Sequence, residues 1–156
     1  MGSMMIHGVS QQIRIATPAK VNLFFELLGK RSDGFHEVET VMSTISLFDF
    51  LEVESRIDDE ITIEIRHEHG AFTDQPDIPV DERNLIFRAL DEVRKFLQQG
   101  ERVSPSMNLG ANVLLEKRIP SAAGLGGASS DAAAAIVAAT RIWAVSYTHL
   151  TLPTKA

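Results

Sequence analysis

Residues 119–135 read IPSAAGLGGASSDAAAA. Glycines at 124, 126 and 127 let a backbone turn through positive φ and approach a ligand closely. The alanines that follow are strong helix formers. A glycine loop opening into a helix presents N–H groups without intrahelical partners at the positive end of the helix dipole, where an anion is stabilised. Ser129 or Ser130 is placed to cap this helix or to face a phosphate, and Asp131 reads as a residue of its first turn. Two common phosphate loops do not fit. No Gly-Lys-Ser/Thr follows, so this is not a Walker loop. GLGGAS lacks a glycine at its sixth position, and no acid follows at the ribose-binding distance, so it is not the dinucleotide fingerprint. The alternative is a plain strand-to-helix connection with a capping serine. The loop by itself leaves both readings open.

The flanks set the fold class. Upstream, residues 107–117 (MNLGANVLLEK) read as a strand that delivers the chain to the loop. Downstream, Ser130 to Trp143 reads as a helix, apolar nearly all round and therefore buried. Further back, Asn84 to Gly100 places Ile86, Leu90, Val93 and Leu97 at helical spacing, with Asn84 as N-cap and Gly100 just past the end. Ile13 to Lys30 reads as one or two strands broken at Pro18, and Arg31 to Met42 as a turn at Asp33-Gly34 followed by another strand. Phe50 to Ser55 and Glu60 to His67 read as two more strands; in the second, Ile61, Ile63 and Ile65 share one face. Residues 68–83 read as an exposed loop. Strands first, then a helix, a strand, a loop and a helix make an α+β layout.

The bulk composition excludes several classes. The chain has 156 residues, enough for one domain with a core. Its net charge of −6 argues against a nucleic-acid surface. It has no cysteine, which removes disulfides and thiolate metal sites. His67, Glu68 and His69 stand together, but nothing else supplies ligands at a useful spacing, so no metal site is expected from protein residues. No apolar run is long enough to span a bilayer, and the N-terminus lacks the pattern of a secretory signal. The expectation is a soluble cytoplasmic protein. Oligomeric state is not legible in the sequence.

The stretch PSAAGLGGASSDAAAA resembles the P-x-x-x-G-L-G-G/S-x-S-S motif of the GHMP kinases, and matches its Pro-to-Ser spacing throughout. That resemblance implies the N-terminal domain of the family, a mixed sheet packed against helices, with the C-terminal domain missing. It also implies that the ATP segment is Pro120, Ser121, Ala122, Ala123, Gly124, Leu125, Gly126, Gly127, Ala128, Ser129 and Ser130. ATP and Mg²⁺ are the implied cofactors.

The N-terminal half narrows the resemblance. TPAKVNLFFELLGKRSDGFHEVETVM, residues 17–42, is similar to the opening of the 4-diphosphocytidyl-2-C-methyl-D-erythritol kinases of non-mevalonate isoprenoid synthesis. Mevalonate and homoserine kinases share the glycine loop but not the pairing of P-A-K-x-N-L with D-G-F-H. The resemblance runs from Ile13 to about Trp143. It implies that Lys20 lies beside the acceptor hydroxyl as a catalytic group. Asn22, on the same strand face, would orient the substrate. Phe35 would stack on cytosine, His36 would read the cytosine edge, and the backbone of Lys117 would meet the base while its side chain stays on the surface. Asn84 is read as a helix cap in preference to an adenine contact. The Gly-Ala-Asp segment that supplies the family's catalytic aspartate does not occur in this chain, and Asp131 is not its equivalent. The expectation is therefore an inactive portion of a kinase, prone to aggregate. The alternatives are another small-molecule kinase of the superfamily, or a non-catalytic nucleotide-binding module. The domains expected are a disordered extension over 1–12, the ATP-binding domain over 13–144, and an atypical tail over 145–156. That tail, VSYTHLTLPTKA, abandons the helical pattern and resembles read-through into adapter DNA.

Overall fold

A computed structural model describes residues 11–67, 77–100 and 107–143. The expectations for residues 1–10, for His69 and for the tail over 145–156 fall outside the described residues. Four strands and two helices follow in the order β1 (Gln12–Lys30), β2 (His36–Ser55), β3 (Ile61–His67), α1 (Leu85–Gln99), β4 (Ala111–Lys117) and α2 (Gly127–Ile142). They form one sheet in the order β1-β2-β4-β3. β1 and β4 run antiparallel to β2, and β3 runs parallel to β4. The mixed sheet packed against helices agrees with the expected α+β domain.

The inward rows of the strands build the core. Ile13 and Ile15 on β1 face Val53 and Leu51 on β2, which neighbour Val113 and Leu115 on β4. Against them pack Ile86, Leu90 and Leu97 of α1 and Ala134, Ala135, Ala138 and Ala139 of α2. The small alanines let α2 lie close to the sheet. Trp143, 1% exposed, closes the far end by donating its indole N–H to the Gly110 carbonyl at 3.2 Å. Asn84 caps α1 as expected, its side-chain oxygen accepting the Ile86 N–H at 2.8 Å.

Several boundaries differ from the sequence reading. Pro18 does not break β1; the strand continues through a register shift between Pro18 and Ala19, which absorbs the missing N–H. Gln12 belongs to β1 and pairs with Glu54. Residues 50–55 are the end of a strand that begins at His36, and β4 starts at Ala111, later than expected. Gly100 ends α1 at φ −88°, outside the left-handed region. Only one side of α2 is buried, because the helix lies on the surface of a two-layer domain; Ile136 and Val137 face outward.

β1 and β2 run on together past the core as a two-stranded hairpin, closed by the Asp33-Gly34 turn, where Gly34 has φ +88°. Leu23, Phe25, Leu27, Val41 and Met42 are each more than half exposed on it. A long apolar ribbon with free edges is a template for self-association. The hairpin is therefore the surface from which the expected aggregation would start, since α2 packs its inner side into the core. Replacing Phe25 and Leu27 together by Ser should lower concentration-dependent light scattering of the chain while leaving its melting temperature nearly unchanged, since neither side chain is in the core. An undiminished scattering signal would place the sticky surface elsewhere.

Candidate active site

Three inward strand rows end in a polar residue at the same level. On β1 the row is Ile13, Ile15, Thr17; on β2 it is Val53, Leu51, Asp49; on β4 it is Val113, Leu115, Lys117. Thr17 and Asp49 are direct cross-strand partners. All three polar side chains are buried, and α2 brings Asp131, 1% exposed, down onto them. Asp49 Oδ1 accepts the backbone N–H groups of Arg118 at 2.6 Å and Ile119 at 2.7 Å, while Oδ2 is ion-paired with Lys117 Nζ. Lys117 also reaches Asp131 Oδ2 at 3.5 Å. Asp131 Oδ1 accepts the Thr17 hydroxyl at 2.6 Å. The side chain of Lys117, expected on the surface, is thus locked inside, because it occupies the next inward position of β4.

The glycine loop lies directly above this cluster. α2 begins at Gly127, three residues earlier than the serine-capped start expected. Its cap is Gly126 at φ +73°, with no side-chain cap hydrogen bond, so neither Ser129 nor Ser130 is the N-cap. Their hydroxyls lie within the first helical turn, and Asp131 is in the second. Gly126 is required twice over. Its φ is left-handed, and a Cβ there would stand 2.9 Å from Lys20 Cγ. At Gly127 a Cβ would stand 2.9 Å from Lys117 Nζ. The two glycines let the loop close onto one lysine from above and another from below. The Lys20 backbone N–H donates to the Leu125 carbonyl at 2.8 Å, and Lys20 Nζ donates to Asn22 Oδ1 at 3.2 Å. The predicted sharing of one strand face by Lys20 and Asn22 is borne out.

A cavity of about 380 Å³ opens over the loop, within the range of small-molecule sites. Residues 120–129 form one side of it, and Ile78, Pro79, Ile86 and Leu115 supply an apolar wall. The wall suits a planar base and the amino end of α2 suits phosphates. Gly124, at φ +72°, has open space where a Cβ would point. Asn84 lines the cavity, but its amide is engaged in the helix cap and in donating to the Pro79 carbonyl at 2.7 Å.

Phe35 and His36 are not brought to this cavity along the strands. His36 pairs with Lys30, ten residues along β1 from Lys20, roughly 30 Å of strand path. Phe35 is 73% exposed at the hairpin tip. Nevertheless Lys20, Asn22, Phe25, Leu27 and His36 fall on one face of the hairpin, because Lys20 pairs with Thr44, Asn22 with Met42, Phe25 with Thr40 and Leu27 with Val38. Among the described residues no group of three or more His, Asp or Glu is placed to hold a metal ion, and no helix is long and apolar enough to cross a membrane.

Residues 84–154 match the family model described as the GHMP kinases N terminal domain. The chain carries a GHMP kinase N-terminal domain. It is 42% identical over 137 residues to the 4-diphosphocytidyl-2-C-methyl-D-erythritol kinase of Synechococcus sp. (strain CC9311), covering 88% of this chain and 39% of that protein. The kinase of the same name from Alkaliphilus metalliredigens (strain QYMF) is 38% identical over 138 residues, covering 88% of this chain and 42% of that protein. A crystal structure of 4-(cytidine 5′-diphospho)-2C-methyl-D-erythritol kinase superposes with a TM-score of 0.58 at 32% identity, over 85% of this chain and 41% of that one. The chain spans about two fifths of the length of the curated relatives it matches.

The buried cluster is what sequence reasoning about the GHMP kinase domain missed. The signal was present in the alternation D-x-L-x-V on β2 and V-x-L-x-K on β4, where a charged residue takes an inward position. Asp49→Ala should lower stability by about 3–5 kcal/mol in denaturant unfolding, because it leaves a buried ammonium and two N–H groups without their acceptor. In the loop, Gly126→Ala should cost at least ~1 kcal/mol. Ala122, already at φ +60°, should accept glycine with no loss. Burial pushes the Asp131 carboxyl up from 3.8 to about 6, against the Thr17 hydroxyl and Lys117. Because the folded value is raised, the stability Asp131 contributes is full below about pH 4 and is lost as pH rises through about 6. Asp131→Asn, which stays neutral, should therefore gain on the unsubstituted chain by ~2–3 kcal/mol between about pH 4 and 7 in paired unfolding curves.

Proposed function

We propose that this chain is the nucleotide-binding portion of an ATP-dependent kinase that phosphorylates the 2-hydroxyl of 4-diphosphocytidyl-2-C-methyl-D-erythritol in non-mevalonate isoprenoid synthesis. The observation that carries this reading is the joining of the Lys20 and Asn22 strand to the glycine loop, by the Lys20 N–H to Leu125 carbonyl bond and the packing of Lys20 on Gly126. An acceptor strand and a donor loop so stitched bring two reactants into one geometry, which is most of what phosphoryl transfer asks of a protein. The names of the relatives supply the substrate.

ATP would lie with its phosphates on residues 120–130 and its base on the wall of Ile78, Pro79, Ile86 and Leu115. When bound, ATP supplies the phosphoryl group and Mg²⁺ shields the phosphate charge, held chiefly through the phosphates themselves. The N–H groups of Gly127, Ala128 and Ser129 hold negative charge at the amino end of α2. Lys20 is the catalytic group. Its ammonium, steadied by Asn22, faces the charge that develops as the hydroxyl is phosphorylated. Phe35 and His36 would take the cytosine at the far end of the same hairpin face, through stacking and edge hydrogen bonds. Asp131 does not serve as the base, since it is buried and bonded to Thr17.

The decisive measurement is phosphoryl transfer from ATP to this substrate by the chain, alone or extended to the length of its relatives. Lys20→Ala should lower kcat by about 10²–10³-fold with a smaller change in the KM for ATP, and unchanged turnover would remove Lys20 from the mechanism. Cytidine nucleotides should compete with the acceptor, and Phe35→Ala should abolish that competition. Phosphorylation of mevalonate or homoserine without cytidine competition would reassign the substrate.

A further inference from the structure

The cluster beneath the loop holds two carboxylates and one ammonium. Asp49 has the close ion pair with Lys117, and its other oxygen is committed to two backbone N–H groups. Asp131 stands 3.5 Å from the same ammonium, and its close partner is a hydroxyl. With all three ionised, a net charge of −1 is shut away from water. That charge belongs to Asp131, the fifth residue of α2, and lies about 6 Å along the axis from the helix start. Lys117 and Asp131 both line the cavity over the loop. An anion attracted to the amino end of α2 therefore meets an uncompensated like charge at short range, through a medium that screens poorly.

We propose that Asp131 takes up one proton from solvent when a phosphate-bearing ligand seats on the glycine loop, leaving the ion pair of Lys117 and Asp49 as the neutral floor of the site. The inference rests on the nucleotide reading given above. The proton goes to Oδ2, whose contact with Lys117 at 3.5 Å is far longer than the 2.6 Å bond that Oδ1 accepts from Thr17. Neutral Asp131 does not strand the lysine, since Asp49 holds it more closely. Burial has already brought the carboxyl up to about 6, and Asp49 pushes in the same direction, so an approaching anion has only a short way to move it past neutrality.

The groups that face Asp131 come from every element packed on α2. β1 contributes Thr17, and Lys20 lies near, against Gly126 with its ammonium on Asn22. β2 contributes Asp49 and β4 contributes Lys117. On α1, Arg88 and Asp91 share a different groove with Ala132 and Ile136. None of these removes the excess negative charge, because Lys117 is shared with Asp49 and Lys20, turned to the Asn22 amide, is not among the groups that act on the Asp131 carboxyl.

Calorimetric titration of ADP into the chain at about pH 7, in buffers of low and high ionisation heat, counts the protons taken up. The expected result is roughly half to one proton more per ADP than in Asp131→Asn, with ADP affinity falling up to about tenfold per pH unit above neutrality in the unsubstituted chain alone. The nucleotide's own ionisation is common to both proteins and cancels. Thr17→Val gives a second readout that does not depend on the Asn variant folding: loss of the hydroxyl donor should move the uptake to higher pH. ADP binding with equal uptake in Asp131→Asn, or with uptake unmoved in Thr17→Val, overturns this inference and leaves the nucleotide reading standing. Absence of ADP binding overturns both.

Discussion

The carboxylate of Asp49 is the point on which the site hangs. It is fully buried, and it holds three donors from the segment that leads into the glycine loop: the Lys117 ammonium and the N–H groups of Arg118 and Ile119. Those two N–H groups belong to residues just past the end of β4, where the sheet ladder no longer supplies acceptors. A buried N–H without an acceptor costs about 1–3 kcal/mol. Asp49 therefore fixes the direction in which the chain leaves the sheet, and with it the position of everything from Pro120 onward.

From that anchor the loop is held on two further sides. Its carbonyl at Leu125 accepts from Lys20, which ties it to β1. The helix it opens is drawn onto the sheet through Asp131 and Thr17, and its far end is pinned by Trp143 on Gly110. The loop has no side-chain cap of its own, so its shape is imposed by these neighbours and by the freedom of its glycines. A ligand meeting it finds N–H groups already aimed, which removes ordering entropy from binding.

The same arrangement separates the polar groups into two ends. The domain core presents a phosphate-sized platform above a buried charge cluster. The hairpin carries Lys20 and Asn22 at its root and His36 at its tip, with apolar residues between them on one face. The root is packed against the loop, while the outer hairpin has few packing partners among the described residues. Kinase relatives that are more than twice as long match this part of the chain.

The strands, the two helices and the glycine loop were legible in the sequence because each is written in local patterns: period-two alternation in Ile61 to His67, helical spacing from Ile86 to Leu97, and the Pro-to-Ser spacing around three glycines. Lys20 and Asn22 were legible as a pair for the same reason, being two apart on a strand. What the sequence could not decide was how distant rows end together. Thr17, Asp49, Lys117 and Asp131 lie on four elements, and only strand register and the docking of α2 bring them within hydrogen-bond reach. The helix start also moved to Gly127, because a left-handed glycine with close neighbours can end a loop without a capping serine. Local periodicity determines which residues face inward; which charges then meet, and that two carboxylates share one ammonium, is determined by three-dimensional packing alone.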